Sequence, residues 1–237
     1  TALMFSNRFL LMAVGAALGG WVSFLFGYEL AFIVNAISFL VSAYSIWLIP
    51  EEAMQENETT RREKAPFLKE LQEGLYYTVT NRFALTILLM NIVWAMGGGA
   101  TFIVFEGLAS KVFSNENMPV DIAFSILMTF NGVGLTLGML IAHRAATFVE
   151  RNKIERSFIG WSLVVHGILF AIAGFMPNIW LVIIFIVISR TIVGAEYAVQ
   201  ETIFQRSLPD HIRGRISTLD RGAEITMFSF SSYAAGV

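Results

Sequence analysis

Cysteine is missing from all 237 residues, which excludes disulfides and thiolate-bound metal. Charge is scarce as well. Asp, Glu, Lys and Arg make up 14% of the chain, against about 25% in a soluble domain. The formal net charge is −2 and no basic stripe tracks a phosphate backbone, so nucleic acid is not an expected partner. The chain also lacks a nucleophile elbow, a phosphate-cradling glycine loop and zinc-ligand spacing. A catalytic role has no support, and no metal or other cofactor is implied.

What fills the chain is apolar. Hydrophobic residues reach 56%, with 21 Phe and a mean hydropathy of +0.65. Runs of about 20 apolar residues, the length at which a helix crosses the hydrocarbon, recur along the sequence. The reading is an all-α, polytopic membrane bundle.

The first run lies between Arg8 and Glu29 and the second between Leu30 and Pro50. Only GYEL separates them, which predicts a tight helical hairpin. Gly15, Gly19 and Gly20 sit in GAALGG, and small residues four apart let helices approach closely. Residues 51–82 change character. EEAMQENETTRREK reads as a charged linker. After it, Phe67, Leu68, Leu71 and Leu75 recur at helical spacing opposite Lys69, Glu70 and Glu73, which predicts an amphipathic helix on the membrane surface.

A third run lies between Arg82 and Glu106, where Gly97, Gly98 and Gly99 are expected to loosen or bend the helix in its outer half. The fourth runs from Ile122 to Ala142, followed by a cationic loop, HRAATFVERNKIER. The fifth is Ser157 to Phe175 and the sixth Trp180 to Gln200. The loop QRSLPDHIRGR follows, and a last span begins at Ile225. Arg61, Arg62, Lys64, Lys69 and Arg82 share the first cationic segment. Arg144, Arg151, Lys153 and Arg156 share the second, and Arg206, Arg213, Arg215 and Arg221 the third. The intervening loops hold almost no cation, Lys111 excepted. Positive charge stays inside, so residues 51–82 and 204–222 are expected in the cytoplasm and Glu106 to Asp121 outside.

The sixth run, WLVIIFIVISRTIVGAEYAVQ, is the most informative. Arg190 sits near its middle and Glu196 further along. A charge at bilayer centre costs about 2.5–3.5 kcal/mol on insertion scales, so it faces protein or a wet cavity. On a helical wheel Arg190, Gly194, Tyr197 and Glu201 share one stripe; Ser189, Glu196 and Gln200 share another. Arg190 and Glu196 are therefore expected to seek partners on other helices, either in a structural ion pair or along a substrate or proton pathway. Asn35, Asn91 and Asn131 are interhelical hydrogen-bond partners or pathway residues. His166 reads as a packed, hydrogen-bonded residue rather than a proton relay. Asp210, Arg213 and Arg215 either lock a gate by ion pairs across helices or merely anchor the loop.

Two hairpin spans, a long charged linker and at least four further spans resemble the middle of a major facilitator superfamily transporter. GAALGG resembles the glycine core of the antiporter motif in that family's fifth helix, with Ala16 where the motif usually has Pro. NAISFLVSAYSIWLIP resembles the end of the sixth helix. FLKELQEGLYYTVTNRFALTILLMN resembles the linker and the start of the seventh, and QRSLPDHIRGRIS the loop after the tenth. The likeness is strongest to bacterial drug, macrolide and siderophore exporters.

The resemblance implies two helical bundles around a central cavity. Residues 1–50 would be the last two helices of the first bundle, 51–82 the linker, and 83–237 the second bundle into its eleventh helix. It implies a multi-pass protein of the inner (plasma) membrane that moves a small-molecule substrate, with proton-coupled efflux of amphipathic molecules expected. The alternatives are a lipid flippase or importer of the same superfamily, and a non-transporting scaffold or receptor. The chain begins at Thr1 and stops at Val237 within an apolar run, so both ends are expected to be cut. Such a piece is expected not to transport on its own.

Overall fold

The computed structural model describes residues 2–50, 67–112 and 118–236, and these are helical without a strand. In chain order the helices are α1 (Ala2–Phe26), α2 (Tyr28–Trp47), α3 (Phe67–Thr80), α4 (Arg82–Gly107), α5 (Val120–Asn152), α6 (Glu155–Gly174), α7 (Ile179–Ser207) and α8 (Asp210–Gly236). A π-helical turn, Leu108–Val112, extends α4. Among the described residues α2, α4, α5, α6 and α7 are long and apolar enough to cross a membrane, and α1 carries a shorter apolar run, Leu10–Phe26. The charged half of the expected linker, residues 51–66 with Arg61, Arg62 and Lys64, lies outside the described residues.

Local chemistry sets the breaks. Gly27 separates α1 from α2 at φ 82°, a conformation glycine adopts without a Cβ penalty. Asn81 caps α4, its side-chain oxygen accepting from the N–H of Phe83 at 3.0 Å and of Ala84 at 3.1 Å. Asn178 caps α7 in the same way through the N–H of Trp180 at 2.8 Å. Lys153, left-handed at φ 54°, ends α5.

Two expected loops are helix instead. α5 continues through HRAATFVERN, leaving only Lys153 and Ile154 before α6. Leu208 and Pro209 alone separate α7 from α8, which begins at Asp210 rather than at Ile225. The reason is physical. Charge ends an apolar run, but a helix satisfies its own backbone and carries on into the headgroup region. Helix runs continuously through Gly97–Gly99. Gly98 and Gly99 pack against α8, Gly97 facing open space: a Cβ on Gly99 would run into the Phe228 carbonyl and lie 3.0 Å from the Ser232 nitrogen. Ser232 donates to the Gly99 carbonyl at 3.1 Å, and Ser231 donates to that of Met96.

α5 is the central strut. α7 packs along one side of it and α1 along another; α4 pairs with α8, and α6 leans on α7. The α5–α7 seam is glycine on glycine. A Cβ on Gly134 would lie 2.7 Å from the Arg190 Cβ, and one on Gly194 would lie 2.6 Å from the Leu135 carbonyl oxygen. On the α1 side Gly132 meets Ala13, whose Cβ would be 2.7 Å from an added one, and Gly20 meets Ser125. Gly15 and Gly19 face open space. Of the three glycines expected to pack, only Gly20 does so among the described residues. α2 rests on α1 and buries none of its residues.

α3 is amphipathic, as its spacing predicts, with a refinement. Its leucines Leu68, Leu71 and Leu75 are exposed, while Glu70, Glu73, Gly74 and Thr78 turn toward the protein. Glu70 and Glu73 both pair with Arg215 at the start of α8, Glu70 at 3.3 Å. Thus the polar stripe docks and the apolar stripe remains free for a bilayer surface.

Candidate functional site

Two apolar clusters close the ends of the bundle formed by α4 to α8. One holds Phe105, Leu127, Ile179, Val182 and Ile186. The other holds Ile87, Phe204, Leu208, Ile212 and Ile216. Between them lies a layer of buried polar side chains drawn from α4, α5, α7 and α8. Hydrophobic contact holds little energy in lipid, so such a layer gains its specificity from hydrogen bonds between helices.

Arg190 anchors the layer and is 5% exposed. Its Nη2 donates to the Thr101 hydroxyl of α4 at 3.0 Å, and its guanidinium lies 4.7 Å from the ring centroid of Phe170 on α6. Nε meets no acceptor, and no carboxylate pairs with the group among the described residues. The expected cross-helix partner is therefore a hydroxyl and a π face, not a charge. Next to it Ser189 donates to the His166 carbonyl at 3.0 Å and lies 2.6 Å from His166 Nδ1. His166 is thus hydrogen-bonded across helices to α7.

About two and three turns further along α7 the layer continues. Tyr197 stacks on Trp94 with ring centroids 5.8 Å apart, and the Arg221 guanidinium sits 5.9 Å from the tyrosine ring. Arg221 in turn pairs with Glu224 at 2.7 Å. Gln200 donates to Asn91 Oδ1 at 2.7 Å, and Asn91 donates to both oxygens of Asp220, at 3.1 and 2.9 Å. That chain of amides ties α7, α4 and α8 together. Glu196 is fully buried, with Oε1 lacking a partner among the described residues. It shares the stripe of Ser189 and Gln200, away from the cavity wall.

A cavity of about 340 Å³ opens within this layer. α4, α5, α7 and α8 wall it, with Met12 of α1 at one side. Arg190, Asn131, Tyr197, Arg221 and Glu224 supply its polar lining, and Trp94, Phe102 and Phe228 its aromatic one. The Asn131 Oδ1 is buried there without a hydrogen bond from any described residue. A second groove of about 570 Å³ lies between α4 and α6 and touches the other side of Arg190, Thr101 and Trp94. It is larger but almost wholly apolar, so the chemistry concentrates in the smaller cavity.

The structure brings together Arg190, Tyr197 and Asn131 at this cavity, with Asn91 hydrogen-bonded just below it. Asn35 lies on exposed α2 and does not join them. Asp210 and Arg213 form a pair at 2.7 Å within the first turn of α8, and Arg213 also donates to the Leu208 carbonyl at 3.0 Å; among the described residues neither pairs with a charge on another helix. Arg215 does reach across, to α3. Thr101, Trp94, Asp220, Arg221 and Glu224 escaped the sequence reading. The i,i+4 spacing of Asp220 and Glu224 was the available signal, obscured because the segment reads as a loop.

No curated protein and no solved structure matches the chain. The family model described as Major Facilitator Superfamily matches residues 2–224. Nearly the whole chain, all-α and built of membrane-length helices around a polar layer, therefore belongs to the major facilitator superfamily, whose members are secondary transporters.

Proposed function

We propose that this chain contributes the substrate pathway of a proton-coupled exporter of small amphipathic molecules in the inner (plasma) membrane. The single observation behind this reading is the 340 Å³ cavity, with a buried guanidinium at one wall and aromatic rings on the others. Its size is that of a small-molecule site, and its lining combines apolar walls with few, fixed polar groups. An amphipathic molecule matches both. Residues 1–50 would belong to one bundle and 83–237 to the other, joined by 51–82. The contact of α1 with α5, through Ala13 and Gly132, would then be where the bundles meet. Glu196, Asp220 and Glu224 are the buried carboxylates among the described residues, and any of them could carry a proton.

Counterflow in proteoliposomes of the complete transporter tests the reading. Arg190→Ala leaves no carboxylate stranded among the described residues, so the variant should fold. It should also lose counterflow or uncouple it from a proton gradient. Arg190→Lys should recover part, since it keeps the charge without the planar fork of donors. Normal flux per folded molecule in Arg190→Ala would reject Arg190 as a pathway residue.

A further inference from the structure

We infer that the cavity binds an amphipathic anion, a carboxylate carried on an aromatic body, with Arg190 as its counter-charge. The inference rests on reading the cavity as a substrate site and goes further by fixing the sign of the substrate's charge.

The charged side chains at the wall are Arg190, Arg221 and Glu224. Arg221 and Glu224 are within 2.7 Å of each other and offset one another. Asp220 is held by Asn91 and does not line the cavity; nor does Glu196. One positive charge is left, on Arg190. It is 95% buried by its 5% exposure, and a buried charge without a counter-ion is costly. Thr101 and the Phe170 face offset part of that cost, but neither carries charge. Nε–H still lacks an acceptor among the described residues.

A guanidinium presents parallel N–H donors that match the two oxygens of a carboxylate. The remaining lining suits a flat apolar body. Trp94 stacks with Tyr197, and Phe102 meets Phe228 edge to face with centroids 5.6 Å apart. A cationic amphipath of the same shape would meet Arg190 as a like charge and be repelled. A neutral amide could accept a single hydrogen bond from the guanidinium but would leave its charge without a counter-ion.

Three ligands of one shape separate these cases: 2-naphthoate, its neutral amide, and 2-naphthylmethylammonium. Binding of each to the purified complete transporter in a neutral detergent is measured by equilibrium dialysis. The expected order is naphthoate at least about ten-fold tighter than the amide, with the ammonium weakest. Arg190→Gln should weaken the acid by at least about ten-fold more than it weakens the amide, so that the two bind alike. Because the ranking is read on the unmodified protein, it holds even where that variant fails to fold. Equal binding of acid and amide, a preference for the ammonium, or no binding of any of the three overturns the inference. So does a preference for naphthoate that survives Arg190→Gln in a folded variant. Flux of neutral or cationic amphipaths without naphthoate binding would remove the anion site and leave transport standing. Naphthoate binding with no flux of any substrate would do the reverse.

Discussion

Gly138→Ala tests the seam on which the site is built. A Cβ at Gly138 would lie 2.7 Å from the Ala195 nitrogen and 2.8 Å from the Gly194 Cα, with the Thr191 carbonyl nearer still. All three are backbone atoms, so no side chain can rotate away. Carbon contacts settle near about 3.5–4.0 Å, and α5 and α7 would have to part by about 1 Å. Forcing extra atoms into a packed interface costs about 1–3 kcal/mol, and a backbone-on-backbone clash belongs at the upper end. The opposing gain is the helix preference of Ala over Gly, about 1 kcal/mol. The net expectation is a loss of about 2 kcal/mol, which for a chain of this size lowers the melting temperature by about 4–8 °C. Gly160→Ala is the control, because nothing lies within 4 Å of its added Cβ. It should melt at or above the parent. Melting in detergent, followed by intrinsic fluorescence, gives both numbers. A second readout follows from Gly134, which abuts the Arg190 Cβ one turn away on the same seam. Parting the helices should move Arg190 and weaken substrate binding in Gly138→Ala but not in Gly160→Ala. If Gly138→Ala melts with the parent, the two helices do not touch as described and the reasoning fails.

Three further outcomes are expected. Asn91→Leu strands both the Asp220 carboxylate and the Gln200 amide, which should lower stability by about 2 kcal/mol; Asn35→Leu, on exposed α2, should stay within about 0.5 kcal/mol, and equal effects would discount the amide chain. Arg215→Ala should speed tryptic cleavage at Lys69 by releasing α3, whereas Arg213→Ala, whose pair with Asp210 is local, should not; stability should change by no more than about 1 kcal/mol in either. In this cysteine-free chain, Pro177→Cys should react with an impermeant maleimide on intact cells and Asn152→Cys should not, and the opposite pattern would invert the proposed orientation.

Membrane helices were legible because lipid enforces one rule, that backbone groups be satisfied within the segment, and long apolar runs follow from it. The same rule explains where the reading stopped short. Hydropathy marks where a helix leaves hydrocarbon, not where it ends, so α5 and α8 extend past the limits placed at Ala142 and Ile225. That error had a consequence for the site. Asp220, Arg221 and Glu224 fell into an expected loop, yet the helix carries them to the polar layer.

Arg190 was legible for the opposite reason. A charge in the middle of an apolar run violates the local pattern, and such violations concentrate where function resides. Its partners were not legible. A carboxylate would have announced itself, but Thr101 and Phe170 are ordinary residues of apolar helices and become partners only through the crossings of α4 and α6 with α7. The backbone of α7 that carries Arg190 is set against α5 by glycines the sequence displays without saying what each one touches. Gly15 and Gly19 stand in the most motif-like stretch and face open space; Gly134, Gly138 and Gly194 stand in no recognised motif and bring α5 against α7. Spacing shows that close approach is allowed, and only the opposing helix decides where it is used. The position of the guanidinium thus depends on contacts one helix away. This is why a variant such as Gly138→Ala, which removes no polar group at all, should alter the site as surely as a change to Arg190 itself.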